Sequence, residues 1–287
     1  IEMPVMDGLT ALPQIVQLAR WSRVIMSSTL TLQGAEVSIR AMALGAADYV
    51  SKPSSTRDVH AADEWKADLL EKVRALGVSG WRERHKLGKT GPLPSGVVPK
   101  PSTMSVAALS SSSAAAQRVP LYEGSEVRLR DPARGIPEIL VIGSSTGGPQ
   151  ALFEVLPHLK GLRQPILITQ HMPKAFTTIL ADHISKQTGL PCREAVTGDV
   201  PKAGEVLLAP GEFHMLCERS GADVHVKLDQ GPPENYCRPA VDPMLRSLVA
   251  SYGGGKILLA ILTGMGSDGM RGAKLVVEGG GTVIAQD

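Results

Sequence analysis

Cysteine is scarce in this chain of 287 residues: only Cys192, Cys217 and Cys237 occur, widely spaced and with no Cys-x-x-Cys pair. An odd, scattered set does not read as a disulfide framework or a zinc site, so no catalytic metal is expected, and it fits a reducing cytoplasm. Aromatic residues make up only 3% of the chain, too few for a base-stacking surface. Charge of one sign is also lacking, since 30 basic residues face 28 acidic ones. That balance excludes nucleic acid as the main partner. The longest apolar run, Ile257 to Leu262, is strand-sized, far short of the ~20 residues of a membrane span. No secretory signal opens the chain. It begins on Ile1 in a turn-like stretch and stops at Asp287 just after a strand-like run, so it reads as a fragment cut at both ends.

What is present is ordinary globular composition, 43% hydrophobic, at a length that suits two domains. Three regions separate. Residues 1–84 mix short strands with helical periodicity: Val24-Ile-Met and Tyr49-Val50 as strands, Ala35 to Leu44 and Asp63 to Leu76 as helices. Residues 85–135 are rich in Pro, Ser, Gly and Ala and read as a flexible linker. Residues 136–287 repeat strand, Gly-rich turn and helix. Strands are expected at Ile139-Leu-Val-Ile, Ile166-Leu-Ile-Thr, Glu205-Val-Leu-Leu, Ile257 to Leu262 and Thr282-Val-Ile-Ala. Helices are expected over Gln150 to Leu159, Lys174 to Thr188, Asp242 to Tyr252 and Met270 to Glu278. Continuous apolar strands alternating with helices define an α/β, doubly wound, mostly parallel sheet, whose chemistry belongs at the carboxyl ends of the strands.

Three loops at that edge carry reactive residues. The first strand runs into Gly143-Ser-Ser-Thr-Gly-Gly, with Ser145 central in G-x-S-x-G. Such a turn can expose a nucleophile, cradle an anion, or simply reverse the chain. The second strand ends at Gln170-His171, which favours His171 as general base over the other six histidines; His214, in a loop after Pro210-Gly211, is the reserve. The fourth strand leads to Asp268, placed to orient a histidine. The order Ser, His, Asp is not that of the α/β-hydrolase fold. A rival reading takes Gly264, Gly266 and Gly269, with Asp287 beyond the next strand, as a dinucleotide fingerprint. Against it, the Asp268 carboxylate would oppose a pyrophosphate at short range.

Five segments in order, namely Gly143-Ser-Ser-Thr-Gly-Gly, Gln170-His-Met-Pro, Ala209-Pro-Gly, Arg238-Pro-Ala-Val-Asp and Leu262-Thr-Gly-Met-Gly-Ser-Asp-Gly, resemble the chemotaxis protein-glutamate methylesterase family. Residues 1–84 are similar to the carboxyl-terminal part of that family's flavodoxin-like receiver domain, through Glu2-Met-Pro-Val-Met-Asp-Gly, Ser28 and Lys52-Pro53. The resemblance implies a response regulator whose effector domain hydrolyses glutamate γ-methyl esters on chemoreceptors, releasing methanol, with glutamine deamidation as a companion activity. It implies Ser145 as nucleophile, His171 as acid and base, and Asp268 as orienting carboxylate. Thr146 and the backbone at Met265 would form the oxyanion region, and Arg238 would either meet the acidic receptor helices or stand as a solvated charge near a turn. Ser28 and Lys52 would serve receiver signalling. The phosphoacceptor aspartate would immediately precede Ile1 and is absent from this chain. No cofactor is implied for catalysis, and magnesium only for a full receiver. The implied partners are methylated receptor helices and, for the full-length protein, a histidine kinase. A cytoplasmic location without membrane insertion follows from the same resemblance.

Overall fold

The computed structural model describes residues 3–19, 21–29, 31–52, 59–86, 129–130 and 135–286. Most of the stretch read as a linker, together with Pro53 and Asp287, lies outside the described residues.

The amino-terminal segment contains α1 (Gly8–Leu18), β1 (Ile25–Ser28), α2 (Leu32–Ala43), β2 (Asp48–Ser51) and α3 (Val59–Lys86). Asp7 caps α1 by accepting the Thr10 N–H at 2.7 Å, and Thr31 caps α2 by accepting the Gly34 N–H at 3.0 Å. Strands β1 and β2 pair in parallel.

From residue 139 onward come β3 (Ile139–Ser144), α4 (Gly148–Val155), β4 (Ile166–Gln170), α5 (Lys174–Thr188), β5 (Cys192–Glu194) and β6 (Val206–Leu208). They are followed by β7 (His214–Ser220), β8 (Asp223–Asp229), α6 (Val241–Tyr252), β9 (Ile257–Ile261), α7 (Met270–Glu278) and β10 (Thr282–Ala285). Six strands form one parallel sheet in the order β10-β9-β3-β4-β6-β5.

Alternate side chains of each central strand enter opposite cores. Leu140, Ile142, Ile166 and Ile168 join Leu152, Phe176, Leu180 and Ile184 of α4 and α5. Ile139, Val141, Leu167 and Leu259 join Met244, Leu245, Leu248 and Val276 of α6 and α7. Burial on both faces explains the unbroken apolar runs. The first core also takes in Leu12, Ile39, Met42 and Tyr49, because α2 packs against α4 and α5.

Two features depart from a simple strand–helix repeat. Strand β5 has only three residues, one of them buried, so it leaves almost no pattern. Strands β7 and β8 form an antiparallel hairpin that packs on α6, where Ser251 Oγ donates to Cys217 O at 2.8 Å and Ser247 Oγ accepts the Cys217 N–H at 2.9 Å. Only one face of the hairpin is buried, through Met215, Cys217, Val224 and Val226, hence its short alternation. Among the described residues, no helix is long and apolar enough to cross a membrane.

Candidate active site

Strand β3 has β4 on one side and β9 on the other. The loops after these three strands therefore meet at one edge, the usual place for a ligand in an open parallel sheet. Ser145 directly follows β3, His171 directly follows β4, and Asp268 lies between β9 and α7.

The Ser145 loop is tightly fixed. Its N–H donates to Thr263 O at 3.0 Å, and its carbonyl accepts the Gly148 N–H at 2.8 Å and Gln170 Nε2 at 2.9 Å. Gln170 is held in turn by Ser144 Oγ, which donates to Oε1 at 2.7 Å. Gly147 takes a left-handed φ of 76° as the chain enters α4. Gly264 lets the β9 loop approach, since a Cβ there would lie 2.7 Å from Ser145 Cβ.

His171 Nε2 and Asp268 Oδ2 are 2.7 Å apart. Among the described residues no hydrogen bond joins Ser145 Oγ to His171, whose other near neighbour is Cys237. Asp268 is a saturated acceptor. Its Oδ2 also receives the Val241 N–H at 2.6 Å, while Oδ1 receives the Asp242 N–H at 3.1 Å and Asn235 Nδ2 at 3.0 Å. The two backbone donors belong to the first turn of α6, whose positive end favours a carboxylate. Burial pushes the Asp268 carboxyl upward, but these hydrogen bonds outweigh it and hold it below its ordinary value. Burial likewise pulls His171 down, yet Asp268 and the adjacent Cys237 outweigh it and raise the imidazole to about 9.

Ser145, Thr146, His171 and Met265 line one cavity of about 520 Å³. Asp48 and Tyr49 at β2 and Asp68, Glu71 and Lys72 on α3 line the same cavity. Arg238 does not line that cavity; its guanidinium donates to Gln230 O at 3.1 Å and Gly231 O at 2.8 Å. Ser28 is buried and donates to Gly34 O at 2.9 Å, and Lys52 is exposed with its N–H on Ser28 O at 2.6 Å. His214 opens β7 rather than a loop. Its Nδ1 accepts the Ala240 N–H at 3.2 Å and its Nε2 meets Pro232 O at 3.1 Å, so both ring nitrogens are occupied and the reserve base is structural. The dinucleotide reading fails on Asp268, which is turned onto His171 and the start of α6 instead of leaving a phosphate cradle.

Three contributors escape the sequence reading: Gln170, Asn235 and Cys237. Gln170 opens the Gln170-His-Met-Pro segment, which gives its side chain no role of its own. Asn235 stands in a Pro-Pro-Glu-Asn turn, a signal for chain reversal that says nothing about its side chain's target.

A parallel α/β domain that gathers a hydroxyl, an imidazole and a carboxylate on adjacent loops has the layout of a serine hydrolase. The CheB methylesterase family model matches residues 140–287. A protein-glutamate methylesterase/protein-glutamine glutaminase from Paramagnetospirillum magneticum is 52% identical over 289 residues, covering all of this chain and 73% of the relative. One from Azospirillum brasilense is 50% identical, covering all of this chain and 70% of that relative. The crystal structure of the Thermotoga maritima CheB methylesterase catalytic domain superposes with a TM-score of 0.51 at 43% identity, covering 53% of this chain and 80% of that one. The chain belongs to the CheB methylesterase family.

Proposed function

We propose that this protein hydrolyses glutamate γ-methyl esters on chemoreceptors, and deamidates receptor glutamines, through Ser145, His171 and Asp268. The observation that carries the reading is the 2.7 Å contact between His171 Nε2 and Asp268 Oδ2, with Ser145 and His171 lining one cavity.

In this scheme Ser145 Oγ attacks the ester carbonyl while His171 takes its proton at Nδ1. Asp268 stabilises the imidazolium without itself taking the proton. Negative charge on the carbonyl oxygen falls in the region of Thr146 and the Met265 backbone. The tetrahedral intermediate collapses, His171 protonates the departing methoxide, and methanol leaves. A water then gives its proton to His171 and attacks the acyl-enzyme, freeing glutamate and Ser145. A glutamine side chain follows the same course with ammonia as the leaving group. Each step is carried by groups of this chain.

We further read residues 1–84 as the receiver portion of a chemotaxis response regulator acting in the cytoplasm, with methylated receptor helices as substrate. The supporting feature is its position: Tyr49, Asp68 and Glu71 line the same cavity as Ser145, so a change in this segment alters access. Phosphorylation of the receiver in the full-length protein would act through that lining.

The test is Ser145→Ala assayed for methanol release from methylated receptor. Release is expected to vanish with the melting temperature nearly unchanged, because Ser145 Oγ makes no hydrogen bond among the described residues. Turnover at the wild-type rate would overturn the assignment.

A further inference from the structure

Asn235 stands in a turn of two inner residues closed by Glu234 and Cys237. The Glu234 N–H donates to Cys237 O at 3.1 Å, and the Cys237 N–H donates to Glu234 O at 2.9 Å. Both inner residues have left-handed backbone, φ 51° at Asn235 and 64° at Tyr236. Most side chains resist that conformation, and asparagine resists it least. Glu234 anchors the turn to α6 by pairing with Arg246, whose NH1 donates to Oε2 at 2.9 Å.

This backbone points the Asn235 carboxamide inward. Its Nδ2 donates to Asp268 Oδ1 at 3.0 Å and to Asp242 Oδ2 at 3.2 Å. One NH2 group with two protons thus serves two carboxylates from two different elements. Asp242 is buried, and its Oδ1 accepts the Gly272 N–H of α7 at 2.7 Å. The reverse amide orientation would set a carbonyl oxygen against two carboxylates. Asp268 offers about four acceptor positions. Its four donors fill them, two on each oxygen, and Asn235 is the only side chain among them besides His171.

We propose that Asn235 is a positioning residue for the hydrolase reaction, its carboxamide holding the Asp268 carboxylate in the plane that presents Oδ2 to His171. This rests on the assignment of Ser145, His171 and Asp268 given above. The carboxamide also separates Asp268 from Asp242 with a donor, so two acids share a site without facing each other directly. The other charged or titratable groups around this pair are Cys237 beside His171, the Glu234–Arg246 pair behind the turn, and Asp48, Tyr49, Asp68, Glu71, Lys72 and Tyr236 along the cavity.

Two variants of the full chain separate backbone from side chain. Asn235→Gly keeps the left-handed turn and removes the donor. Asn235→Asp keeps the shape and replaces the donor by an acceptor. For methyl-ester release from methylated receptor, kcat is expected to fall about tenfold in Asn235→Gly and further in Asn235→Asp, with KM within about twofold, as for misplacement of a reacting group. An NMR titration of the His171 ring supplies a second readout. Its midpoint is expected to move upward in both variants and furthest in Asn235→Asp, since each leaves more uncompensated negative charge beside the imidazolium. A wild-type kcat with an unmoved His171 titration in Asn235→Gly would overturn the proposal. So would a loss of kcat that tracks a lower melting temperature while the titration stays put. The titration does not depend on turnover, so a wild-type protein that releases no methanol would sink the methylesterase reading and still leave Asn235 testable.

Discussion

Tyr49 lies on Phe176, their ring centroids 4.2 Å apart and their planes 15° from parallel. The first residue belongs to β2 of the amino-terminal segment, the second to α5 beside the catalytic sheet. Lys72 of α3 covers the same tyrosine, its Nζ 4.7 Å from the ring centroid and 2.6 Å from the Tyr49 carbonyl oxygen. One aromatic stack therefore joins the packing of the fold to the wall of the cavity, because Tyr49 also lines the space in front of Ser145.

Truncation at this stack separates the two roles. Phe176 is fully buried, so Phe176→Ala is expected to cost about 3–5 kcal/mol of stability, read by urea unfolding. Tyr49→Ala removes part of the cavity wall without touching Ser145, His171 or Asp268. It is expected to lower stability and at the same time raise methyl-ester turnover by widening access. A Tyr49→Ala protein with lower turnover per folded molecule would show that the tyrosine assists the substrate instead of obstructing it.

Gly264 tests how closely the loop after β9 must approach Ser145. A methyl group there would lie 2.7 Å from Ser145 Cβ, closer than two carbons tolerate. The glycine is exposed, so an alanine takes nothing from either core. Gly264→Ala is expected to reduce kcat by about two orders of magnitude, the scale set by a shift of roughly 1 Å in a reacting group. The melting temperature should fall as well, because a φ of 158° suits glycine better than alanine, so kcat is compared per folded molecule. A fluorophosphonate probe should label Ser145 correspondingly slowly; labelling at the wild-type rate would mean that the loop relaxes around the new methyl.

How much of this was legible in the sequence follows from what each element buries. β3, β4 and β9 announce themselves because both faces are covered, so their residues run apolar without interruption. The ends of α5 could be read from Pro173 and Gly189, which bracket it at residues 174 and 188. Ser145, His171 and Asp268 could be placed on one edge because each follows such a strand. Of the hairpin of β7 and β8 only the half-exposed alternation Val224-His-Val-Lys was legible, since exposed Glu218, Arg219 and Lys227 dilute the rest of the pattern. Asn235 was out of reach for another reason. A turn signal reports backbone preference, whereas its partners Asp242 and Asp268 are set by tertiary packing. His214 misled in the opposite direction, because its Pro-Gly prelude suggested a loop while the chain was already entering a strand.

The pairing of His171 with Asp268 makes a prediction about pH. At about 9, the folded imidazole holds its proton more tightly than the ordinary value of 6.5. At pH 7 roughly one molecule in a hundred then carries the neutral imidazole that the proposed mechanism requires. The value of kcat/KM should therefore climb about tenfold per pH unit through neutrality and level off above about 9. A rate already flat between pH 6.5 and 8 would mean that the resting imidazole is neutral and that Asp268 and Cys237 together do not hold its proton. Stability should move the other way. A group whose folded value is raised stabilises the fold fully below its unfolded value and loses that contribution as pH rises through the folded one. The window here runs from about 6.5 to about 9, and the contribution is on the order of 3 kcal/mol. His171→Gln, which cannot take the proton, serves as the reference. The wild type should be the more stable of the two at pH 6, and the gap should close as pH passes 9. A gap that stays constant across that window would show that the imidazole is held by packing and not by its charge.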